Sequence, residues 1–576
     1  MSRSDAAGTA SLTSREADRV GYAQGRETRA GEELTVIQST MMDHPLTVTQ
    51  LMHHGARVHA DREVITWQGD SARHVSFADT YERITRLASA LERLGIGHGD
   101  VVGTFCWNHQ EHAEAYLAVP CMGAVLHTLN IRLFPAQLDF VIRDGGDRVV
   151  IVDDSLVEVL AQAPDALSGV EHVIVVGDGD ASVLDREVLR YDELLAAETS
   201  GFDWPDLDER AAALMCYTSG TTGNPKGVVY SHRSQWTHTF GAAANGLHLG
   251  DGDRALVIVP QFHANAWGLI YVCWTFGSDI LQPARYLQPE PLTEFIAAER
   301  PNFSAAVPTV WNAVLALGET RELDLSSLER VTVGGAAVPR SMIERFHGRY
   351  GIEIVQGWGM TETSPVGALS LPPAGVESWE EQLDWRAKTG RMFAGMDMRI
   401  VGDDGREQPW DGKAIGEVQV RGPWVTARYH GDADPERFDH GWLRTGDVGT
   451  IDPKGFMQIV DRAKDVIKSG GEWISTVDLE NAIIAHPDVV EAAVIGVADE
   501  RWDERPLAVI VVREGASLTP AQLSTFLEER VARWWVPERW AFVDEVPKTS
   551  VGKYDKKAIR ARHGAGELEL IELDER

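Results

Sequence analysis

The sequence predicts an α/β protein in which mixed or parallel sheets with flanking helices form a large N-terminal domain, followed by a smaller C-terminal α/β domain. Short apolar runs alternate with helical segments along most of the chain, as in parallel sheets connected by helices. The 576 residues are also too many for a single hydrophobic core. Beyond Asp461 the same alternation repeats on a smaller scale. We therefore expect two folded domains.

The first predicted elements lie between residues 76 and 176. Ser76 and Asp79 can form a capping box for a helix that ends at Gly95. The apolar face of this helix consists of Phe77, Tyr81, Ile84, Leu87, Leu91 and Leu94. We predict the next elements as a strand at Val101–Phe105, a helix at Glu111–Met122, and buried strands at Val149–Val152 and Val173–Val176.

The C-terminal domain is predicted from a second set of signals. Thr519 and Gln522 can form a capping box, with Pro520 at the first helical position. Strands are expected at Ala493–Val497 and Leu507–Val512. The predicted organisation is a disordered tail at 1–40, an N-terminal domain at 41–461 and a C-terminal domain at 462–576.

Composition excludes several classes of partner. Hydrophobic residues make up 44% and charged residues 24%, so most of the chain should fold. The net charge of −33 argues against broad nucleic-acid binding and against a polybasic membrane anchor. The apolar window 256–276 contains Gln261, His263 and Asn265, so we expect a buried strand, loop and helix beside a pocket instead of an integral membrane segment.

A reducing, cytoplasmic location is expected from the cysteines and the N-terminus. The four cysteines have no metal-ligand spacing and lie among apolar neighbours, as free buried thiols do. The polar N-terminal segment lacks the apolar core of a signal peptide.

The segment from Tyr217 to Gly227 is the strongest indication of chemistry. It combines three glycines, several hydroxyl side chains and Lys226, directly after an apolar stretch. Glycines let backbone N–H groups approach an anion, and hydroxyls and a lysine add further donors. The usual P-loop has Ser or Thr after its lysine, whereas Gly227 follows here. The segment therefore indicates a triphosphate-binding loop of another kind.

This loop resembles the first signature of the adenylate-forming enzymes, which include acyl-CoA synthetases, luciferases and the adenylation domains of peptide synthetases. Four more signatures of that superfamily follow in the family's order. The segments that resemble them are, in order, Gln356–Glu362, Trp442–Asp447, Asp461–Glu472 and Pro547–Lys553. The resemblance covers roughly residues 45 to 562 and implies a mobile C-terminal lid.

The resemblance implies a site for ATP and Mg²⁺. Trp358 offers a flat face for adenine, Asp447 a carboxylate for the ribose, and Thr361 a hydroxyl for the α-phosphate. Glu362 is a hard oxygen ligand for the metal, with Thr221 as a second expected ligand. The expected ATP-binding residues are Thr218, Ser219, Gly220, Thr221, Thr222, Gly223, Lys226, Gly335, Ala336, Gln356, Gly357, Trp358, Asp447 and Arg462.

The family's reaction has two steps, and the resemblance assigns residues to both. An acid attacks the α-phosphorus of ATP to give an acyl-AMP, with Lys553 as the expected catalytic lysine between the two anions. The lid then rotates about a hinge that matches Lys464. In the rotated state Ser469, Gly470 and Gly471 are expected to line a tunnel for CoA, whose thiol takes the acyl group.

The acyl site is expected to hold an apolar carboxylic acid. Its expected residues are His263, Trp267, Val307 and Gly334, and the surrounding runs contain no evident Lys or Arg for a second carboxylate. The string from Phe262 to Trp267 most resembles the bacterial medium- and long-chain fatty acyl-CoA synthetases. His263 is either a polar group near the substrate or a satisfied core histidine, and Trp267 either lines the tail site or only packs.

Several alternatives stay open at this point. The same branch includes ligases for short thioether acids, and aryl acids or a fatty acyl-AMP ligase without CoA transfer are alternatives for the reaction. A peptide-synthetase module would need a carrier domain, for which nothing after Lys557 is long enough. A luciferase-like oxygenase shares the first step, and a non-catalytic nucleotide-binding protein is disfavoured by the intact signatures. A homodimer is the family-based expectation.

Overall fold

The computed structural model of the chain describes residues 28–29, 32–33, 39–218, 224–469, 472–499, 501–549 and 554–573. By contacts the chain divides into Met1–Pro45 and Leu46–Arg576. Most of the predicted tail at 1–40 lies outside the described residues, and its disorder stays a prediction. Within it, Thr28–Arg29 pairs antiparallel with Glu32–Glu33.

The described strands are numbered β1 to β29 in chain order. The first fourteen are β1 (Thr28–Arg29), β2 (Glu32–Glu33), β3 (Glu63–Trp67), β4 (Ala72–Ser76), β5 (Val101–Phe105), β6 (Val125–Thr128), β7 (Asp147–Asp153), β8 (His172–Val176), β9 (Leu189–Arg190), β10 (Ala212–Tyr217), β11 (Gly227–Ser231), β12 (Arg254–Val257), β13 (Asp279–Gln282) and β14 (Phe303–Ala306). The remaining strands are β15 (Arg330–Gly334), β16 (Glu353–Gly359), β17 (Val366–Leu369), β18 (Gly390–Met392), β19 (Asp397–Val401), β20 (Gly416–Arg421), β21 (Phe438–Asp439), β22 (Trp442–Ile451), β23 (Phe456–Arg462), β24 (Ile467–Ser469), β25 (Glu472–Ile474), β26 (Val489–Asp499), β27 (Asp503–Val512), β28 (Arg539–Phe542) and β29 (Ile571–Glu572).

The described helices are numbered in the same way. They are α1 (Val48–Val58), α2 (Phe77–Arg93), α3 (Gln110–Cys121), α4 (Pro135–Gly145), α5 (Val157–Leu160), α6 (Tyr191–Ala196), α7 (His232–Ala242), α8 (Leu269–Phe276), α9 (Pro289–Glu299), α10 (Pro308–Thr320), α11 (Arg340–Tyr350), α12 (Trp379–Arg386), α13 (Thr476–Ile484), α14 (Pro520–Glu528) and α15 (Lys556–Gly564).

Two large sheets make up the N-terminal domain. The first has the order β11-β10-β6-β5-β7-β8-β9 and is parallel except for the β10–β11 pair. The second has the order β19-β20-β22-β23-β18-β17-β16-β15-β14-β12-β13-β3-β4, with β21 paired to β22. Its strands β3 and β12 to β16 are joined by parallel pairs, and the outer pairs are antiparallel. Ligands bind beyond the carboxyl ends of parallel strands in α/β sheets. The ligand site is therefore expected at the carboxyl ends of the parallel strands β3 and β12 to β16.

Asn108 connects the two sheets. It follows β5 in the first sheet, and its Nδ2 donates to the carbonyls of Val257 and Val259 at 2.8 Å each, at the end of β12. Its Oδ1 accepts from the N–H of Gln261 at 2.8 Å. The side chain is buried, so these backbone groups depend on it for their hydrogen bonds. One amide thereby fixes the segment that leads to His263.

The C-terminal domain has its own sheet and core. The order is β25-β24-β27-β28-β29, with β26 paired to β27. Apolar clusters cover both faces of this sheet, and Trp540 is fully buried in one of them. Arg513 extends from the end of β27 to Glu319 of α10, with 3.2 Å between Nη1 and Oε2.

The predicted elements are confirmed with small shifts of their ends. Ser76 accepts from the N–H of Asp79 at 3.0 Å and caps α2, and Thr519 forms the predicted capping box with Gln522. The window 256–276 contains the end of β12, a loop and α8, as predicted. In the described part of the chain, no helix has the length and apolarity that a membrane crossing requires. Cys106, Cys121, Cys216 and Cys273 are buried free thiols, as expected.

Candidate active site

The first-signature segment begins at the end of β10 and ends at the start of β11. β10 and β11 are antiparallel, with Tyr217 opposite Gly227. The N–H of Thr218 donates to the carbonyl of Lys226 at 2.9 Å, and the Thr218 hydroxyl accepts from the N–H of Lys226 at 3.3 Å. Ser219, Gly220, Thr221, Thr222 and Gly223 lie outside the described residues, so their predicted roles stay predictions.

Lys226 is held by two neighbours that sequence reasoning missed. Its ammonium forms an ion pair with the carboxylate of Asp434. The ring centroid of Tyr429 lies 5.3 Å from the Lys226 Nζ, within the range of a cation–π contact. Asp434 is 208 residues away in sequence, so no local pattern could have indicated this pair.

The second signature places its carboxylate in a buried, hydrogen-bonded position. Glu362 is 5% exposed, and its Oε1 accepts from the Tyr429 hydroxyl at 2.5 Å. The N–H of Thr426 donates to the Glu362 carbonyl at 2.8 Å. The hydroxyl of Tyr230 donates to the Thr361 carbonyl at 2.7 Å. The backbone on both sides of the predicted metal ligand is therefore fixed by bonds from distant strands and loops.

Glu362 fits a magnesium ion in its chemistry. Mg²⁺ prefers oxygen ligands and is commonly bound by one or two carboxylates together with substrate phosphates. The Tyr429 bond occupies Oε1, which leaves Oε2 of this carboxylate as a ligand atom. Thr221, the second expected ligand, lies outside the described residues.

Trp358, Asp447 and Arg462 meet in one cluster. The indole Nε1 donates to Oδ2 of Asp447 at 2.9 Å, and the Arg462 Nε lies 2.8 Å from Oδ1. Asp447 and Arg462 are also directly opposite each other in the β22–β23 pair. Three predicted nucleotide residues from the second, third and fourth signatures therefore come together, with the Asp447 carboxylate at the centre.

Gln356 acts as a scaffold for the loop that contains Gly335 and Ala336. Its Oε1 accepts from the N–H of Val338 at 2.7 Å, and its Nε2 donates to the carbonyl of Lys388 at 3.0 Å. Gly335 has a φ of +83°, a conformation that favours glycine. The predicted ATP residues Gly335, Ala336, Gln356 and Gly357 thus lie on adjacent strand ends.

The predicted acyl residues gather beside the same strand ends. Gly334 is opposite Gly357 in the β15–β16 pair, and Val307 follows β14, the neighbour of β15. A Cβ at Gly334 would lie 3.1 Å from the Trp267 ring and 2.8 Å from the Gly357 carbonyl oxygen. Trp267 therefore packs on the bare backbone of Gly334. The position requires glycine because the ring and a neighbouring carbonyl fill the space.

The turn that presents Trp267 has an uncommon backbone. Residues 264 to 268 all have positive φ, at 43°, 51°, 49°, 57° and 78°, and the first four are not glycine. Such residues usually cost free energy and are retained where packing holds them, often at functional sites. His263 is half-buried just before this turn. No pattern in the sequence indicates this left-handed turn, because alanine and tryptophan seldom adopt a positive φ.

Contacts with the C-terminal domain hold the segment around Lys464, where the hinge is predicted. The carboxylate of Asp461 accepts from the N–H of Thr476 at 2.7 Å at the start of α13, and the Ser475 hydroxyl donates to the Val460 carbonyl at 2.5 Å. Arg560 forms an ion pair of 2.8 Å with Asp465, next to Lys464. Burial lowers the pKa of the Lys464 ammonium, and the charge of Arg462 lowers it further.

The predicted CoA and catalytic residues are only partly described. Ser469 is fully buried, and Arg505 donates to its hydroxyl at 3.3 Å. Gly470, Gly471 and Lys553 lie outside the described residues. Lys548 of the fifth signature forms an isolated antiparallel bridge with Tyr554, the residue directly after that signature. Within the described residues, no hydrogen bond joins Ser469 to the Trp358–Asp447–Arg462 cluster.

Comparison with known proteins identifies the family. The model of the AMP-binding enzyme family matches residues 52–430, and the model of the AMP-binding enzyme C-terminal domain matches residues 478–553. The chain is similar to the 3-methylmercaptopropionyl-CoA ligase of Ruegeria pomeroyi, at 42% identity over 90% of this chain and 98% of the relative. It is also similar to the long-chain-fatty-acid–CoA ligase of Thermus thermophilus, at 41% identity over 92% of this chain and 98% of the relative.

Solved structures show the same architecture. The anthranilate CoA ligase AuaEII in complex with anthranoyl-AMP matches with a TM-score of 0.83 and 25% identity, over 91% of this chain and 99% of that one. That structure shares the mixed α/β fold with a large N-terminal and a small C-terminal domain. The signatures, the fold and these similarities agree, and the chain belongs to the family of AMP-binding, adenylate-forming enzymes.

Proposed function

We propose that this chain, an AMP-forming acyl-CoA synthetase, activates a medium- to long-chain fatty acid with MgATP and transfers the acyl group to CoA. One observation carries the proposal. Gly357 and Trp358 are neighbours on β16, and Gly357 lies against the Gly334–Trp267 contact while Trp358 holds Asp447. The expected acyl and nucleotide residues therefore meet at the end of one strand, where an acid and the α-phosphate have to meet.

The first step needs the two anionic reactants to be oriented and their repulsion reduced. Asp447 would accept from the ribose hydroxyls, since Trp358 and Arg462 fix its carboxylate. Glu362 would hold Mg²⁺, which supplies charge neutralisation for the phosphates. Lys553 is proposed to lie between the acid and the α-phosphate. The carboxylate oxygen bonds to the α-phosphorus, and the bond to pyrophosphate breaks.

The second step is proposed to use the other face of the lid. Rotation at Lys464 would break the bond between Asp461 and Thr476, because these residues lie on opposite sides of the hinge. Ser469, Gly470 and Gly471 would then line the path of CoA. Its sulfur bonds to the acyl carbon, and AMP leaves. The alternatives, another apolar acid or an acyl-AMP ligase without CoA transfer, are outcomes of the assay below.

An apolar tail site supports the choice of acid. Trp267 is 9% exposed and lies against Gly334, and Val307 lies at the end of the adjacent strand. The relatives include a medium-chain-fatty-acid–CoA ligase of Ectopseudomonas oleovorans at 40% identity, over 91% of this chain and 97% of the relative. Since another relative is named for a thioether acid, chain length and a sulfur substituent are both variables of the test. A cytoplasmic homodimer stays a prediction.

The test is AMP release from MgATP with straight-chain acids of increasing length, thioether acids and aryl acids, each with and without CoA. We expect CoA-dependent turnover that peaks at medium or long chains. Acid-dependent pyrophosphate exchange without thioester would indicate an acyl-AMP ligase, and no turnover with any of these acids would reject the proposal.

A lysine comparison separates the two steps. Lys553→Ala should abolish acyl-AMP formation but spare conversion of supplied acyl-AMP to thioester. Lys557→Ala is the matched control, since this lysine lies on the exposed side of α15. Equal loss of both steps in Lys553→Ala would contradict the rotating-lid mechanism.

A further inference from the structure

Tyr429 contacts Glu362, the proposed Mg²⁺ ligand, and Lys226, an expected residue of the triphosphate-binding loop. Its hydroxyl donates to Oε1 of Glu362 at 2.5 Å, and its ring centroid lies 5.3 Å from Nζ of Lys226. The side chain is 3% exposed, so the ring is fixed by the surrounding structure. None of the five sequence signatures contains this residue.

The hydroxyl has a defined effect on Glu362. In this bond the Tyr429 phenol is the donor and the Glu362 carboxylate is the acceptor. A donor on Oε1 selects one orientation of the carboxylate and leaves Oε2 as the available ligand atom. Without this bond, the carboxylate could rotate, and ordering it would oppose metal binding.

The ring acts on the other group. Lys226 forms an ion pair with Asp434 while its ammonium lies over the Tyr429 ring. An aromatic face attracts a cation without neutralising it, so the ammonium keeps its charge for an incoming anion. Tyr429 also lines a cavity of about 540 Å³ together with Tyr230, Ser364, Trp424 and Thr426. Phenylalanine is therefore the substitution that removes the hydroxyl and still keeps the cavity wall.

We propose that Tyr429 is a positioning residue for the metal–triphosphate end of ATP. Its hydroxyl orients Glu362 toward Mg²⁺, and its ring holds Lys226 beside the same phosphates. This inference rests on the proposed function, which assigns Glu362 to Mg²⁺, and on the family resemblance, which assigns Lys226 to the triphosphate-binding loop.

The test compares two equivalent substitutions. Tyr429→Phe removes the bond to Glu362, and the control Tyr191→Phe removes a bond of 2.7 Å from another buried tyrosine to the buried Glu114. Binding of MgATP, and of ATP in EDTA, is measured by calorimetry on the full-length protein, with thermal unfolding of both variants recorded. We expect Tyr429→Phe to weaken MgATP binding about tenfold and metal-free ATP less than twofold. Tyr191→Phe should change neither affinity.

A double-mutant cycle tests whether the hydroxyl acts through the carboxylate. In a Glu362→Gln background, Tyr429→Phe should cost no more than about twofold further in MgATP binding. Tyr429→Leu, which also removes the ring, should weaken metal-free ATP binding as well. If Tyr429→Leu and Tyr429→Phe bind metal-free ATP equally, the assignment of the ring is wrong.

The outcomes also separate this inference from the proposed function. Unchanged MgATP binding in Tyr429→Phe, or equal losses of affinity with and without metal, would overturn the inference. The proposed function would still stand if the wild-type protein showed acid-dependent pyrophosphate exchange. If the wild-type protein binds MgATP but none of the tested acids supports pyrophosphate exchange, the proposed function is rejected. The binding comparison would still decide the role of Tyr429. Wild-type protein that binds no MgATP would overturn both.

Discussion

The indole N–H of Trp358 donates to the carboxylate of Asp447, with 2.9 Å between Nε1 and Oδ2. Arg462 holds the other oxygen of the same carboxylate. Both oxygens of a predicted ribose ligand are therefore oriented before ATP arrives. Preorganisation of this kind reduces the entropy that binding costs.

Trp358→Phe should raise the KM for ATP about tenfold, because it removes one hydrogen bond to a buried charged group and keeps an aromatic face. Steady-state kinetics with ATP and with the acid varied separately provide the measurement. The KM for the acid should change less than twofold. Trp274→Phe is the control, since it also removes a buried indole hydrogen bond. In this case the acceptor is the carbonyl of Met52, which is not among the expected ATP-binding residues. An unchanged KM for ATP in Trp358→Phe would show that the indole bond does not orient Asp447.

Asp434→Asn should strengthen MgATP binding several-fold. The carboxylate of Asp434 competes with phosphate for Lys226, and the amide removes that competing charge. The KM for ATP measured at low and moderate salt checks this, with a larger effect expected at low salt. Asp432→Asn is the control, because its partner is the exposed Arg428 at 3.1 Å. A higher KM for ATP in Asp434→Asn would mean instead that the pair orients Lys226 productively.

Gly334→Ala should impair the acid site more than the ATP site. The new Cβ would meet the Trp267 ring at 3.1 Å and the Gly357 carbonyl oxygen at 2.8 Å, so the ring has to move. We expect a rise of about tenfold or more in the KM for long acids and a smaller rise for short ones. Gly348→Ala, in α11 with open space at its Cβ position, should leave both constants unchanged. Equal effects on short and long acids would place the Trp267–Gly334 contact outside the tail site.

Stability should fall as the pH drops below 6.5, in part because of His238. Burial lowers the pKa of this fully buried ring to about 4. Between pH 6.5 and 4 the unfolded chain therefore binds a proton that the folded protein does not, and stability decreases by about 1.4 kcal/mol per pH unit at this site. Urea unfolding of His238→Gln at pH 7 and pH 5 should show a smaller pH difference than the wild type. His440→Gln, at a 94% exposed side chain, should keep the wild-type difference.

The fold class was predictable from the sequence because it depends on local patterns. The grouping of Trp358 and Asp447, which lie 89 residues apart, was predictable only through the resemblance to the family's signatures. Ser76 and Thr519 cap helices through residues three positions away, and such signals are complete within a short window. Tyr429 and Asn108 were not predictable. Their partners lie 67 and about 150 residues away, so only the assembled sheets bring them together. The left-handed turn at 264–268 was missed for another reason, since packing overrides the ordinary preferences of its side chains.

The pairing of Asp447 with Arg462 has a consequence for protein engineering. Arg462 is the last residue of β23, and it lies opposite Asp447 in β22. A C-terminal domain grafted from a relative with the junction before position 462 takes this residue from the donor, and a donor without arginine there would leave Oδ1 of Asp447 without its ion pair. A graft that starts after Arg462 keeps the pair with Asp447. Where the donor residue is not arginine, chimeras joined on either side of position 462 should therefore differ in their use of ATP, although the rest of their C-terminal domains is the same.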